Sequence, residues 1–260
     1  MVFSSKRYMV MRYIKYVLFA LLAIVVQPTQ QVQAQTIAKT HNYTAAGTAG
    51  SPNQTVLSGV ATSGSTLIVV GLTSFGGTAA PTLTDNLGNT YGAGQLAASA
   101  DAPSSGPRIR IYYIYGSSIG SASHTFTCST GGIAGYSSIY VATYTGTLYT
   151  SNPLDQVATL SATGVLNASV TPTQDNELIF TMTTSSTLFG AAPTITGSFF
   201  PFLNSNPFVS GGSFLGSSAN LIQTTAATAT PAFNYSSANS AAATISFKAD
   251  VSADANSGFW

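Results

Sequence analysis

Charge is what this sequence has least of. Its 260 residues include 8 Lys and Arg, 7 Asp and Glu and 2 His, so charged side chains make up 6% of the chain, against about a quarter in an ordinary soluble domain. That shortage excludes partners. A protein that neutralises phosphates needs a basic face, and none can be assembled here, so nucleic acid is not an expected partner. Half of the basic residues (Lys6, Arg7, Arg12, Lys15) precede the apolar run VLFALLAIVV at 17–26, and the small-residue pattern Val32-Gln33-Ala34 comes after it. This order predicts a secretory leader over residues 1–34, cut to leave Gln35. Its apolar run is short for a bilayer span, so no membrane association is expected after cleavage. The chain from Gln35 onward carries Lys39, Arg108, Arg110 and Lys248 against seven acids, a net charge of −3.

Cysteine is nearly absent too. Cys128 is alone, which excludes an intrachain disulfide. In HTFTCST the alternation places His124, Phe126 and Cys128 on one face of a strand, and a buried inert thiol is the expected role. A third absence is any long amphipathic helical period with caps. The low charge does not mean disorder, because disordered chains lack aromatic and β-branched residues. This one keeps TLIVVGL, IRIYYIY and ELIFTM, and its polarity comes from Ser, Thr, Asn and Gln.

What is present is a succession of short apolar runs punctuated by Gly, Ser, Asn and Pro, the pattern of an all-β chain. Strands are expected at 55–61, 65–74, 108–116, 123–130, 137–146, 164–172, 176–185, 219–225 and 241–249, with a possible edge strand in QTIAKTHNYT. In RIRIYYIY, Arg108, Arg110 and Tyr112 share a face expected to be wet, while Ile109, Ile111, Tyr113 and Tyr115 share a dry one. Two stretches share one plan: VLSGVATSGSTLIVVGLTS parallels VLNASVTPTQDNELIFTMTTS, and later HTFTCST…SSIYVATY parallels PAFNYSS…AATISFKA. In this alignment Leu67 falls on Ile179 and Phe126 on Phe233. The expected fold is therefore an antiparallel β-sandwich, jelly-roll-like, with two pseudo-symmetric halves sharing one core. Residues 35–52 form an extension or edge strand, 53–250 the sandwich, and 251–260 a polar tail.

In order, STLIVVGLTS, LTDNLGNTY, IRIYYIY, SHTFTCST, IYVATYTG, NPLDQVAT, NELIFTMT and ATISFKA resemble a module of secreted bacterial surface proteins, with its D-x-x-G-N-x-Y turn, Y-x-G end and P-L-D block. The resemblance spans roughly 53–250. It implies an extracellular location and a sandwich, and it carries no catalytic residues that can be transferred.

The few charged and aromatic residues supply the candidate sites. TDNLGNTY at 84–91 reads as a β-turn, with Asp85 capping it and Gly88 at positive φ; Asn89 tolerates the same region. It would be a weak Ca²⁺ site only if Asp101 or Asp155 folded beside Asp85 and Asn89, since one carboxylate alone binds poorly. Asp175 and Glu177, two apart, suit a glycoside hydrolase if held across a cleft, but acids at a strand entry read more simply as solvated turn residues. In NPLDQ, Pro153 fixes a bend and Asp155 supports it. His41 and His124 stand in no metal-ligand spacing, and any Ser-His-Asp set would have to be gathered by the fold. Tyr112, Tyr136, Tyr140, Tyr144 and Tyr149, with SFFPFLNSNPF at 198–208, would make a sugar-stacking platform if exposed. The expected function is a secreted, non-enzymatic cell-surface protein with an adhesive or structural role. Its partner would be an extracellular glycan, another surface protein or itself. The alternatives are a carbohydrate-binding protein, Ca²⁺-assisted or not, and a fibre subunit assembled by strand addition through Gln35 to Thr44.

Overall fold

Short β-branched and aromatic runs become strands throughout. The structure, a computed structural model, describes residues 37–46, 54–76, 80–104, 106–117, 119–130, 136–146, 148–149, 151–164, 166–186, 195–201, 215–233 and 239–250. The expected leader, most of the SFFPFLNSNPF run and the C-terminal tail lie outside the described residues. The first eight strands are β1 (Ala38–Ala46), β2 (Gln54–Val60), β3 (Leu67–Phe75), β4 (Thr82–Asp85), β5 (Leu96–Asp101), β6 (Arg108–Tyr115), β7 (His124–Ser129) and β8 (Tyr136–Thr145). The next eight are β9 (Leu154–Thr163), β10 (Leu166–Asn167), β11 (Glu177–Ser185), β12 (Ile195–Thr196), β13 (Phe200–Pro201), β14 (Leu215–Gln223), β15 (Ala232–Phe233) and β16 (Asn239–Phe247).

These sixteen strands repeat one plan. The first eight make a five-stranded sheet ordered β1-β8-β3-β6-β5 and a three-stranded sheet ordered β2-β7-β4. Adding eight to each number gives β9-β16-β11-β14-β13 and β10-β15-β12, the two sheets of the second half. Every pairing is antiparallel. Each half is thus a jelly-roll-like sandwich, and the duplication is complete strand for strand.

The two five-stranded sheets pack face to face. Leu67, Val69, Ile111, Tyr113 and Tyr140 of the first half share a core with Leu178, Phe180, Met182, Ile245 and Phe247 of the second. Each three-stranded sheet covers the outer face of its own half, over Leu57, Ile68, Val70, Phe126 and Cys128 in the first and Leu166 and Phe233 in the second. The described residues therefore form four β layers, and the inner two are buried on both faces.

Burial on both faces corrects one expectation. The side of β6 carrying Arg110 and Tyr112 is not wet: Arg110 is 8% exposed and Tyr112 7%, because the outer sheet lies over it. It also corrects the alignment of the halves. Leu67 and Leu178 both enter the shared core, whereas Ile179 faces the outer layer, and a slip of one residue moves a strand's side chains to the opposite face. The inner strands carry buried hydroxyls, and these pair across strands, as in Thr73 with Ser138 at 2.5 Å and Thr181 with Thr244 at 2.8 Å. The outer strand β7 keeps the expected alternation, with His124, Phe126 and Cys128 inward.

In the segment expected at 164–172, the described residues form the two-residue β10 and a single bridge from Val170 to Ala229. The possible edge strand is real. β1 closes one side of its sheet against β8, with a register shift between Lys39 and His41. An edge lysine and a bulge are devices that discourage further strand addition.

Candidate functional site

TDNLGNTY is a turn, and its aspartate is the hub of a buried network. β4 ends at Asp85, and the chain reverses through Gly88, whose φ is 77°. Asn89 stays out of the left-handed region and acts through its side chain instead. Asp85 Oδ1 accepts the Leu87 and Asn89 backbone N–H groups, both at 3.0 Å. Oδ2 accepts Asn89 Nδ2 at 2.7 Å, the Tyr91 hydroxyl at 2.7 Å and His124 Nε2 at 2.9 Å. Burial alone would raise this carboxyl, but the hydrogen bonds from Asn89, Tyr91 and His124 outweigh it and hold Asp85 below the ordinary carboxylate range. Burial and the Asp85 charge raise the Tyr91 hydroxyl.

His124 extends the network. Its Nδ1 lies 3.0 Å from Thr62 Oγ1, so a hydroxyl, an imidazole and a carboxylate stand in line. That is the triad order of a nucleophilic enzyme, but none of it is accessible. Thr62 and His124 are fully buried, and the Asp85 side chain is 0% exposed. Thr62 Oγ1 is also engaged by Ser121, whose N–H it accepts at 2.9 Å. The line ties the β2–β3 loop, the β4 turn and β7 together. It has no face for a substrate.

The residues proposed for Ca²⁺ do not assemble. Asp85 and Asn89 meet, but each of the other carboxylates has partners of its own. Asp101 pairs with Arg110 Nη1 at 2.6 Å and Nη2 at 3.3 Å, and with Arg108 Nε at 3.9 Å. Asp155 pairs with Lys248 Nζ at 2.8 Å and accepts the Thr173 N–H and hydroxyl. Among the described residues no three His, Cys, Asp or Glu side chains gather as a metal set. Asp85 has already filled its oxygens with five donors, which is why the turn needs no cation.

The carboxylates proposed for glycoside hydrolysis are also separated in role. Asp175 caps a loop by accepting the Ala226 N–H at 2.6 Å. Glu177 is not solvated at the strand entry but fully buried, accepting the Thr173 and Gln174 N–H groups at 3.2 and 3.1 Å. Burial pushes Glu177 up to about 7, opposed by the Ser246 hydroxyl and reinforced by the Asp155 carboxylate. Thr173 N–H reaches both carboxyls, so Asp155 and Glu177 sit side by side at the base of β9 and β11, with Lys248 on the Asp155 side.

The tyrosine platform is overturned by burial. Tyr112, Tyr140 and Tyr144 are 7%, 2% and 0% exposed, because both faces of β6 and β8 are covered; Tyr136, at the start of β8, is half-buried. Tyr149, at 46%, is exposed, and so is Tyr115, at 37%, which sequence periodicity placed on a dry face. Tyr115 is the last residue of β6, beyond the point where β5 pairs with it. There an open cleft of about 220 Å³ is lined by Asn89, Thr90, Gln95, Tyr113, Tyr115 and Ile119, among others. Its polar wall is the second half of TDNLGNTY. Comparison with family models, curated proteins and solved structures returns no match, so the geometry alone carries the functional reading.

Proposed function

We propose that this chain is a secreted, non-enzymatic β-sandwich that serves at the cell surface or in the extracellular layer as an adhesive or structural module. The observation that carries the reading is the use made of ionisable groups. Asp85 with His124, Asp101 with Arg110, and Asp155 with Lys248 each tie one segment of chain to another, and the reactive-looking line Thr62–His124–Asp85 is sealed. The outward positions of two strands are neutral: β9 turns Thr159, Ser161 and Thr163 to solvent, and β4 turns out Thr82 and Thr84. Such a surface presents hydroxyls without charge, as suits contact with glycans and other matrix components. Fibre assembly with β1 as donor has less support, since β1 already completes its own sheet.

The test is location. Fractionation of the source cells, with protease shaving of intact cells, should find the chain outside and beginning at Gln35. Retention in the cytoplasm with the leader intact would refute the reading.

A further inference from the structure

Among the described residues the strand edges are guarded, with one exception. β1 carries Lys39 and a register shift. β5 has six residues, a shift between Leu96 and Ala98, and an aspartate at its end. β2 is interrupted between Leu57 and Val60, β4 has four residues, and β10, β12 and β13 have two each. Each of these devices discourages pairing with a foreign strand. β9 is different. It ends its sheet beside β16 and has ten residues. Its one register shift lies near its start, and from Val157 to Thr163 it follows β16 without interruption. Residues 156–163 hold no charge, proline or glycine.

This edge is open. A strand in an antiparallel sheet turns its N–H and C=O groups alternately to its two sides. Among the described residues β9 has β16 on one side and no strand on the other. Its side chains are no better covered. Thr159 and Ser161 pair with Ala243 and Ala241, on the side of the shared core, yet both are exposed, and Val157 is 46% exposed. Ser161 Oγ donates to Asp101 O at 2.7 Å, which ties the strand to β5. On the other side Ala158, Leu160 and Ala162 are only partly buried against the outer core. A regular strand thus keeps an unpaired backbone edge and an apolar stripe half covered.

The side chains of the strand point to one occupant. Outward from Leu160, VATLSAT reads alike in both directions: Thr159 and Ser161 are hydroxyls, Ala158 and Ala162 are identical, and Val157 and Thr163 are β-branched and of one shape. An antiparallel partner centred on Leu160 sets each residue opposite its like, where hydroxyl and β-branched pairs interact across strands. The two Leu160 side chains then lie together on one face, each covering what the other leaves exposed. Self-pairing also brings identical charges together, and residues 156–163 have none to repel. We propose that two copies of this chain pair through β9, antiparallel about Leu160, joining their sheets edge to edge. The contact is two-fold and uses the edge up, so it closes a dimer and starts no fibre. It goes beyond the surface reading above and does not depend on it.

Sedimentation equilibrium of the chain purified from its source tests the pairing, with variants made in the same host. A reversible dimer is expected. Thr159→Lys should weaken it roughly tenfold or more, because two-fold pairing sets the new charges on diagonal positions of one face. Circular dichroism and melting at low concentration, where both proteins are monomers, should match the parent, since Thr159 is exposed. Register has its own readout. Opposed Cα atoms lie about 4.5–5.5 Å apart, within reach of a disulfide, and the native Cys128 is buried. Thr159→Cys mixed with Ser161→Cys should therefore crosslink one variant to the other faster than either to itself. A parent that stays monomeric at about 1 mM, a Thr159→Lys variant that dimerises like the parent, crosslinking without that preference, or growth into open filaments would each overturn the proposal. An extracellular monomer loses the pairing alone, whereas a cytoplasmic dimer through β9 loses only the surface role.

Discussion

Gly71 of β3 and Met182 of β11 face each other where the two halves meet: a Cβ built on Gly71 would overlap the Met182 sulfur. The two positions are counterparts in the duplicated plan. Gly71 lies between Tyr140 and Ile111 in its sheet, and Met182 lies between Ala243 and Ser218 in its own. The first half thus reads large, small, large, and the second small, large, small. Tyr140 likewise approaches Gly216, leaving no room for a Cβ there. Complementary divergence of this kind makes each half the specific partner of the other, and explains why one core serves both.

This contact predicts non-additive energetics. Gly71→Ala should cost about 1–3 kcal/mol by overpacking, and Met182→Ala about 2–5 kcal/mol by leaving a cavity. The double variant should be less destabilised than the sum, because the added methyl occupies space the thioether has vacated. Denaturant melts of the four proteins measure the cycle; strict additivity would show that the two side chains do not meet.

Asp85 should matter more than any other turn residue. Asp85→Asn keeps the shape but turns an amide against Asn89 Nδ2, the Tyr91 hydroxyl or His124 Nε2, so at least one buried donor loses its acceptor. A loss of about 3 kcal/mol at pH 7 is expected. Because the folded carboxyl lies below its ordinary 3.8, its contribution is complete above that value and fades as pH falls through the folded one. The gap between parent and variant should therefore close in acid. A gap independent of pH down to the acid transition would assign the loss to shape and not to charge.

Local chemistry made this turn legible, but only the fold could show what it holds. The positive φ of Gly88 and the capping role of Asp85 come from the residues themselves, as does the inward set His124, Phe126 and Cys128 from the period of two. Thr62 and Asp85, however, lie 62 and 39 positions from His124, and only the β4–β7 and β2–β7 pairings bring them together. β9 is not legible as a strand because LDQVATLSAT is rich in small residues, although it pairs along most of β16. The burial of the tyrosines is illegible for one reason. Alternation tells which side chains share a face, but not whether a further layer covers it.

The Asp155–Glu177 pair predicts stability that falls with rising pH. Glu177 is an acid whose folded value, about 7, lies above its ordinary 4.5. The folded state therefore holds a proton that the unfolded chain has released, and the stabilisation is full below 4.5 and lost as pH rises through 7. Lys248 offsets only part of this, being paired with Asp155 and not with Glu177. Glu177→Gln keeps the acceptor for Thr173 and Gln174 without the charge. It should match the parent near pH 5 and exceed it by roughly 2–3 kcal/mol at pH 8. Urea melts across this range, read as the difference between the two proteins so that other groups cancel, would sink the idea if that difference stayed flat.

A last expectation concerns polarity left inside the shared core. The Tyr144 hydroxyl is buried with no hydrogen-bond partner among the described residues, and Ser218 Oγ and Asn220 Oδ1 on β14 are in the same position. Burial raises the Tyr144 hydroxyl far above the ordinary tyrosine range, as desolvation without a compensating acceptor must. Its ring packs in the central cluster with Phe180 and Phe247, so the aromatic face does the stabilising and the oxygen opposes it. Tyr144→Phe should raise stability by about 1 kcal/mol, seen as a Tm increase of roughly 2–4 °C for a domain of this size. A clear fall in Tm would mean that the hydroxyl is hydrogen-bonded in solution, and that the interface between the halves is held partly by polar contacts and not by shape alone.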